Sequence, residues 1–130
     1  MITSEAFDYI NVLDKAADAS YKREEIIANN LANATTPGYK RQDLDFALYL
    51  KRELGKSKHI ALDQKVDDVH LRHLNPPVYE DHESYSYRLD GNNVDIATEN
   101  VELASEQLRY QAITGSISNQ FAQLNAAMQK

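Results

Sequence analysis

The chain has 130 residues, a formal net charge of −6 and no cysteine. This length suits one domain rather than two independent cores, and a mean hydropathy of −0.60 is typical of a soluble chain. The acidic balance argues against general nucleic-acid binding, because phosphate contacts need clustered Lys and Arg. The lack of cysteine excludes disulfides, thiol catalysis and cysteine metal sites.

We expect no direct insertion into a membrane and no cleavable secretory signal. The longest uninterrupted apolar run, residues 46–50, is far too short to cross a bilayer. Residues 1–5 have neither a basic start nor an apolar core, which a signal peptide requires. The polar faces of the predicted helices are acidic or uncharged, whereas a membrane-surface helix favours Lys and Arg.

The first predicted element is a long amphipathic helix over residues 5–34. Its apolar residues recur at alternating steps of three and four, which is heptad spacing, although Ser20 and Glu24 weaken the stripe in the middle. The stripe consists of Ile10, Leu13, Ala17, Ser20, Glu24, Ile27, Leu31 and Ala34. Such a stripe indicates that one face of the helix packs against a partner.

The end of this helix is unusually rich in asparagine. Asn29, Asn30 and Asn33 crowd the last turns, and a Thr-Pro-Gly-Tyr turn follows at residues 36–39. Because the short amide of asparagine competes with the backbone for hydrogen bonds, these residues predict a helix end whose amides have specific partners. Pro-Gly fits the centre of a type II turn, which requires positive φ at Gly38. An ordinary helix stop would have a similar composition.

Residues 40–92 are predicted to form an irregular insert or appendage. Apolar residues between positions 44 and 54 indicate a short helix that ends at Gly55, and the alternation of Tyr85, Tyr87 and Leu89 indicates a short strand. Pro76-Pro77 interrupts any regular element. A weakly structured segment of this length suits a small appendage or a segment that orders against neighbours.

The last predicted element is a second amphipathic helix. Ile96, Leu103, Tyr110, Ile117 and Leu124 recur every seven residues, Phe121 and Met128 fill the companion position late, and Asp95 is a candidate N-cap. A lone helix is marginally stable in water. We therefore predict a mainly α fold in which the two terminal helices pair as an antiparallel coiled coil. Residues 1–39 and 93–130 would form this discontinuous core, although an ordinary helical bundle has the same periodicity.

Catalytic chemistry is weakly indicated. His70, His73 and His82 lie near Glu80 and Asp81, which would allow a metal-dependent hydrolase, but a His-x-x-His pair alone is a weak signal. Serine nucleophile elbows, glycine-rich phosphate loops and the Walker lysine pattern are all absent from the sequence. We expect no catalytic residue, no metal and no cofactor.

Both ends of the chain resemble a known family. The string from Asn29 to Lys40, Asn-Asn-Leu-Ala-Asn-Ala-Thr-Thr-Pro-Gly-Tyr-Lys, resembles the N-terminal signature of the bacterial flagellar basal-body rod protein family. Residues 92–96, 103–104 and 108–112, with Phe121, resemble the C-terminal helix of the same family. The short chain and the Gly-Asn-Asn-Val-Asp entry to that helix are most similar to the proximal rod members.

The resemblance implies a structural subunit that polymerises helically through its terminal helices, as part of the drive shaft between the membrane ring and the hook. Its partners would be copies of itself, other rod proteins, the membrane ring with its rod adaptor, and the type III export apparatus. It would reach the periplasmic rod without a cleavable signal. The motif residues would be Asn29, Asn30, Leu31, Asn33, Thr36, Pro37, Gly38 and Tyr39.

The resemblance also implies which side chains pack in the tube. Ile10, Leu13, Ala17, Ile27 and Leu31 of the first helix would meet Ile96, Leu103, Tyr110, Ile117, Phe121, Leu124 and Met128 of the second. The alternative from a different class is a soluble helical adaptor or export chaperone that binds a partner helix.

Overall fold

The computed structural model describes residues 2–82 and 88–129. In chain order the elements are α1 (Ile2–Ala32), β1 (Gln42–Asp43), α2 (Phe46–Lys56), α3 (Leu62–Asp67), a 3₁₀ turn (Leu71–His73), β2 (Tyr79–Glu80) and α4 (Ile96–Met128). The mainly α fold with long terminal helices is confirmed. Within the described ranges, no helix is long and apolar enough to cross a membrane.

The two long helices pack against each other in opposite directions. Asn30 of α1 contacts Glu99 of α4, whereas Tyr21 of α1 lies against Tyr110, with ring centroids 6.1 Å apart. As the residue number increases along α1, the number of the residue that it contacts on α4 decreases. The predicted antiparallel pairing of the terminal helices is confirmed.

The helix α4 begins where the sequence predicts. The carboxylate of Asp95 accepts hydrogen bonds from the backbone N–H groups of Ala97 and Thr98, at 3.0 and 3.3 Å. These donors have no partner within the helix, so the side chain satisfies them. Asp95 is thus the N-cap.

The middle of the chain has more regular structure than its pattern indicates. The predicted short helix is α2, which continues one residue beyond Gly55. Strands β1 and β2 form a small antiparallel sheet with Gln42 opposite Glu80. Helix α3 has six residues, too few to show a period in the sequence. Of the strand predicted around residues 85–89, Tyr85 and Tyr87 lie outside the described residues and Leu89 lies in a turn.

The middle segment lies along α1. The Tyr9 hydroxyl hydrogen bonds to the Asp63 carboxylate, and Lys15 Nζ donates to Asn75 Oδ1 at 3.2 Å. Ala19 and Ile26 of α1 are buried with Leu44, which follows β1. Helix α1 therefore has α4 on one side and the middle segment on another. The division into a core of residues 1–39 and 93–130 and an insert of residues 40–92 stays a prediction.

Many of the buried side chains are polar. The apolar ones are Ile10, Ala17, Ala19, Ile26, Ile27, Ala34, Leu44, Val66, Leu74 and Val94, and the polar ones are Ser20, Asn30, Asp43, Glu53, Asn92, Asn93, Glu99 and Glu106. Buried polar groups are costly unless they are hydrogen-bonded. Their partners therefore largely determine how the helices are held together.

Candidate functional site

Asn30 is the central side chain at the end of α1, where it is fully buried. Its amide nitrogen donates to the backbone oxygen of Gln42 at 2.8 Å and to Glu99 Oε2 at 3.3 Å. Its amide oxygen accepts from the backbone N–H of Gln42 and from the Tyr39 hydroxyl, both at 2.9 Å. Both donors and both lone pairs of the amide are thus used, and one side chain joins α1, β1 and α4.

The other two motif asparagines stabilise the turn after the helix. Asn33 Nδ2 donates to the backbone oxygen of Asn29 at 2.9 Å, and Asn33 Oδ1 accepts from Thr36 Oγ1 at 3.1 Å. Asn29 Nδ2 donates to the Tyr39 hydroxyl at 3.1 Å. Gly38 has φ of +73°, as the predicted turn requires. The motif amides therefore find their partners within one chain.

Asn92, in the loop before α4, closes the end of α1. It is fully buried, and its Nδ2 donates to the backbone oxygens of Asn33 and Thr36 at 2.8 and 2.9 Å. Both carbonyl groups belong to the turn that follows α1, so Asn92 ties this turn to the loop before α4 from more than fifty positions away. The backbone N–H of Gly38 donates to the Asp90 oxygen at 2.6 Å, which adds a second tie. The hydrogen bonds of Asn30, Asn92 and Gly38 thus connect the end of α1 to α4 and to the loop before it. We call these contacts the helix joint.

An ionic cluster continues from this joint along the helix pair. Arg23 of α1 donates to Asp43 Oδ1 at 2.7 Å, to Glu106 Oε2 at 2.7 Å and to Glu102 Oε2 at 2.8 Å. Ser20 Oγ donates to the other carboxylate oxygen of Glu106 at 2.7 Å. The carboxylate of the buried Glu106 on α4 therefore receives both a positive charge and a hydroxyl hydrogen bond from α1.

Arg41 extends the cluster toward the motif. Its guanidinium binds Glu99, Asp81 Oδ2 at 2.6 Å and Asp43 Oδ2 at 3.2 Å. Asp43 thus bridges Arg23 and Arg41, and Glu99 bridges Arg41 and Asn30. The helix joint and the ionic cluster form one continuous polar network, with α1, β1 and α4 as its supports.

The pKa of Asp43 is lowered from its ordinary value of 3.8. Burial favours the neutral acid, but hydrogen bonds from Arg23 and from the Leu44 backbone N–H, together with the charges of Arg23 and Arg41, outweigh it. Burial, and then the charge of Glu106, raise the pKa of Glu24. The cluster therefore holds Asp43 as a carboxylate, whereas burial, more than the charge of Glu106, disfavours the charged form of Glu24.

The lowered pKa of Asp43 predicts a dependence of stability on pH. Below its ordinary pKa the unfolded chain binds the proton first, so the contribution of Asp43 is complete above that value and is lost as pH falls through the folded pKa. We expect Asp43→Asn to be less stable at neutral pH and to lose stability less steeply on acidification. Urea unfolding from about pH 7 to about pH 2 measures this slope. Equal slopes in both proteins would contradict it.

Comparison with known proteins identifies the chain. The family model described as "Flagella basal body rod protein" matches residues 10–40, which include most of α1 and the motif. The flagellar basal body rod protein FlgB of Escherichia coli K12 is 33% identical over 117 residues, 82% of each chain. FlgB of Bacillus subtilis 168 is 30% identical over 92% of each chain. FlgB of Cereibacter sphaeroides is 31% identical over 93% of this chain and 94% of its own.

The chain belongs to the flagellar basal body rod protein family. The similarity to the FlgB proteins spans nearly the whole length of both partners, so it includes the middle segment and α4 as well as the motif. The resemblance inferred from the two ends of the sequence is thereby confirmed.

The residues expected to pack in this rod protein differ widely in burial. On α1, Ile10, Ala17 and Ile27 are buried, and Leu13 and Leu31 are half-buried. On α4, Leu103, Tyr110, Ile117 and Leu124 are half-buried, whereas Ile96, Phe121 and Met128 are exposed. Within the described part of α4, only Glu99 and Glu106 are buried. The role of this set in assembly stays a prediction.

The three candidate histidines do not come together at one site. His70 and His73 rings meet edge to face with centroids 5.4 Å apart, and His73 Nδ1 lies 2.9 Å from Glu53 Oε1. His82 lies 3.7 Å from Glu80 instead. Over residues 2–82 and 88–129, no group of three or more His, Asp or Glu side chains is arranged to hold a metal ion.

Sequence reasoning missed the residues of the ionic cluster. Ser20 interrupts the apolar stripe of α1, and Glu99, Glu102 and Glu106 follow at steps of three and four on one face of α4. A polar residue at a core position opposite an acidic stripe was the available signal. It indicates a partly polar helix interface, in which Arg23 supplies the opposite charge.

Proposed function

We propose that this chain is a structural subunit of the bacterial flagellar basal body rod. It is not an enzyme, and it assembles with other rod proteins in the basal body. The observation that carries this function is the similarity to FlgB rod proteins over nearly the whole chain. The alternative of a soluble adaptor or export chaperone is not favoured, because the relatives are rod proteins.

The proposal includes a route and a place for the subunit. It would leave the cell through the type III export apparatus without a cleavable signal and join the periplasmic rod near the membrane ring and its rod adaptor. There it would polymerise helically with copies of itself and other rod proteins. The motif from Asn29 to Tyr39 would fix the end of α1 relative to α4 in each subunit.

The outer face of α4 supports assembly through the terminal helices. Val101 and Leu108 follow the buried Glu99 and Glu106 by two positions, and at about 100° per residue they point away from α1. They are 68% and 67% exposed. Apolar side chains seven residues apart on a helix face are typical of a surface that packs against another helix.

A double substitution on this face tests the proposal. We expect Val101→Gln with Leu108→Gln to change the free energy of unfolding by less than about 0.5 kcal/mol, because both positions are exposed. A strain of the source bacterium that carries this variant in place of the native gene should fail to build rods. Swimming in soft agar and electron microscopy of isolated basal bodies are the measurements.

The matched control is Thr98→Gln with Ser105→Gln, which alters two exposed positions seven residues apart on a neighbouring face of α4. This control should swim normally. Normal rods in a strain that lacks the gene would contradict the proposed function, and a discrete one-to-one complex outside the basal body would favour the adaptor instead.

A further inference from the structure

Charge is distributed unevenly along the chain. Residues 46–75, from α2 through the 3₁₀ turn, contain six Lys and Arg against four Asp and Glu, a net charge of +2. The remaining residues contain eight against sixteen, a net charge of −8. A surface of one sign on an otherwise acidic chain attracts partners of the opposite sign.

The acids close to this basic segment are already engaged. Asp43 is bound by Arg23 and Arg41, and Asp45 caps α2 by accepting from the Leu48 N–H at 3.0 Å. Glu53 is buried and binds Lys56 and His73. The charges of Asp43 and Glu53 are therefore compensated by their own basic partners, whereas Asp45 stays exposed beside α2.

The basic side chains line an open groove of about 680 Å³ beside α2 and the 3₁₀ turn. Arg52, Lys56, Arg72 and His73 surround it, and the Arg52 guanidinium lies over the Tyr49 ring at 5.6 Å from the centroid. Arg52 and Arg72 form no ion pair with any residue in the described ranges. Glu53 also lines the groove and is bound by Lys56 and His73. The two remaining cations, Arg52 and Arg72, suit a pair of carboxylates.

A matching acidic face lies on α1. Asp14, Asp18 and Glu25 are four and seven residues apart, so they share one side of the helix. All three are exposed, and none pairs with a basic side chain in the part of the chain that the structure describes.

We propose that the basic groove around Arg52 and Arg72 receives the acidic face of α1, at Asp14 and Asp18, from a second copy of this chain. The two surfaces are different, so a subunit can offer its groove to one neighbour and its acidic face to another. Such a head-to-tail contact gives a ring if its rotation closes and an open helical array if it does not, and the rod function favours the open array. The inference rests on the proposed function and deepens it by naming one contact between subunits.

Charge reversal with rescue tests this contact. We expect Arg52→Glu with Arg72→Glu, and separately Asp14→Lys with Asp18→Lys, to weaken self-association about tenfold to a hundredfold, because like charges would then face each other. The four substitutions combined in one chain should restore it to within about threefold of the native value. Sedimentation velocity over a concentration series at low and high salt measures association, and circular dichroism checks that each variant is folded.

The charge-matched control is Lys51→Glu with Lys58→Glu, two exposed lysines of the same segment outside the groove. It should weaken association less than the groove variant does. Three results would each overturn the contact. The combined variant could self-associate as weakly as either reversed pair alone, or the reversed variants could associate like the native chain. The native chain could also stay monomeric at every concentration.

Complementation separates this contact from the function itself. In the source bacterium with the gene deleted, the native gene and the combined variant should restore swimming, and Arg52→Glu with Arg72→Glu should not. Normal swimming of that groove variant would overturn the contact and leave the rod function intact. Failure of the native gene to restore swimming would instead count against the rod function.

Discussion

Replacing Arg23 by methionine should lower the free energy of unfolding by about 3 kcal/mol, the lower end of the range for breaking a buried ion pair. The Arg23 side chain is 15% exposed and donates to Asp43, Glu102 and Glu106. Glu106 has only 2% of its surface exposed, so without Arg23 its charge would keep only the exposed Arg109 and the Ser20 hydroxyl as partners. Urea unfolding followed by circular dichroism measures the loss, which is large compared with the stability of an ordinary domain.

Arg109→Met is the matched control, because Arg109 also donates to Glu106, at 3.3 Å, from a side chain that is 58% exposed. We expect it to cost less than about 0.5 kcal/mol. Adding Glu106→Gln to Arg23→Met should recover part of the loss, since it removes the stranded charge. If Arg23→Met unfolds at the same urea concentration as the native chain, the ionic cluster does not stabilise the fold.

The two terminal helices could be predicted because they are long. Each has more than thirty residues. Over that length the spacing of apolar residues repeats several times, so the sequence alone indicates a helix. Helix α3 has six residues and strands β1 and β2 have two each. Elements this short depend on the contacts that surround them, which periodicity does not describe.

The polar network could be predicted only in outline. The crowding of asparagines indicated that the amides need partners, and Pro37-Gly38 indicated a positive φ. The partners themselves come from distant parts of the chain: Glu99 binds Asn30 across 69 positions, and Asn92 binds the Asn33 oxygen across 59. A local pattern identifies a side chain that requires a partner, whereas the fold determines which partner it finds.

The polar network bears on how such a subunit could specify its helix pairing. An apolar stripe with a seven-residue repeat can slide by one repeat at moderate cost, but Glu106 finds Arg23 and Ser20 together in only one register. We infer that the buried charges fix the register of α1 against α4, as single polar residues do in coiled coils. Val101 and Leu108 are exposed and take no part in this network.

Asn30→Ala should lower the free energy of unfolding by about 3 kcal/mol, because it removes a fully buried amide that makes four hydrogen bonds. The N–H and C=O groups of Gln42 and the Tyr39 hydroxyl would each lose a hydrogen bond. Urea unfolding measures the stability. Amide hydrogen exchange at Gln42 gives a local readout, since its N–H should exchange faster once the Asn30 oxygen is gone.

The adjacent Asn29 provides the control within the same motif. Asn29 is exposed, and its Nδ2 donates to the Tyr39 hydroxyl and not to the strand. Asn29→Ala should therefore cost less than about 1 kcal/mol and leave exchange at Gln42 unchanged. If the two alanine variants were equally stable, burial of the Asn30 amide would not be what makes the end of α1 rigid, and the joint would depend on Asn92 and the Gly38 turn instead.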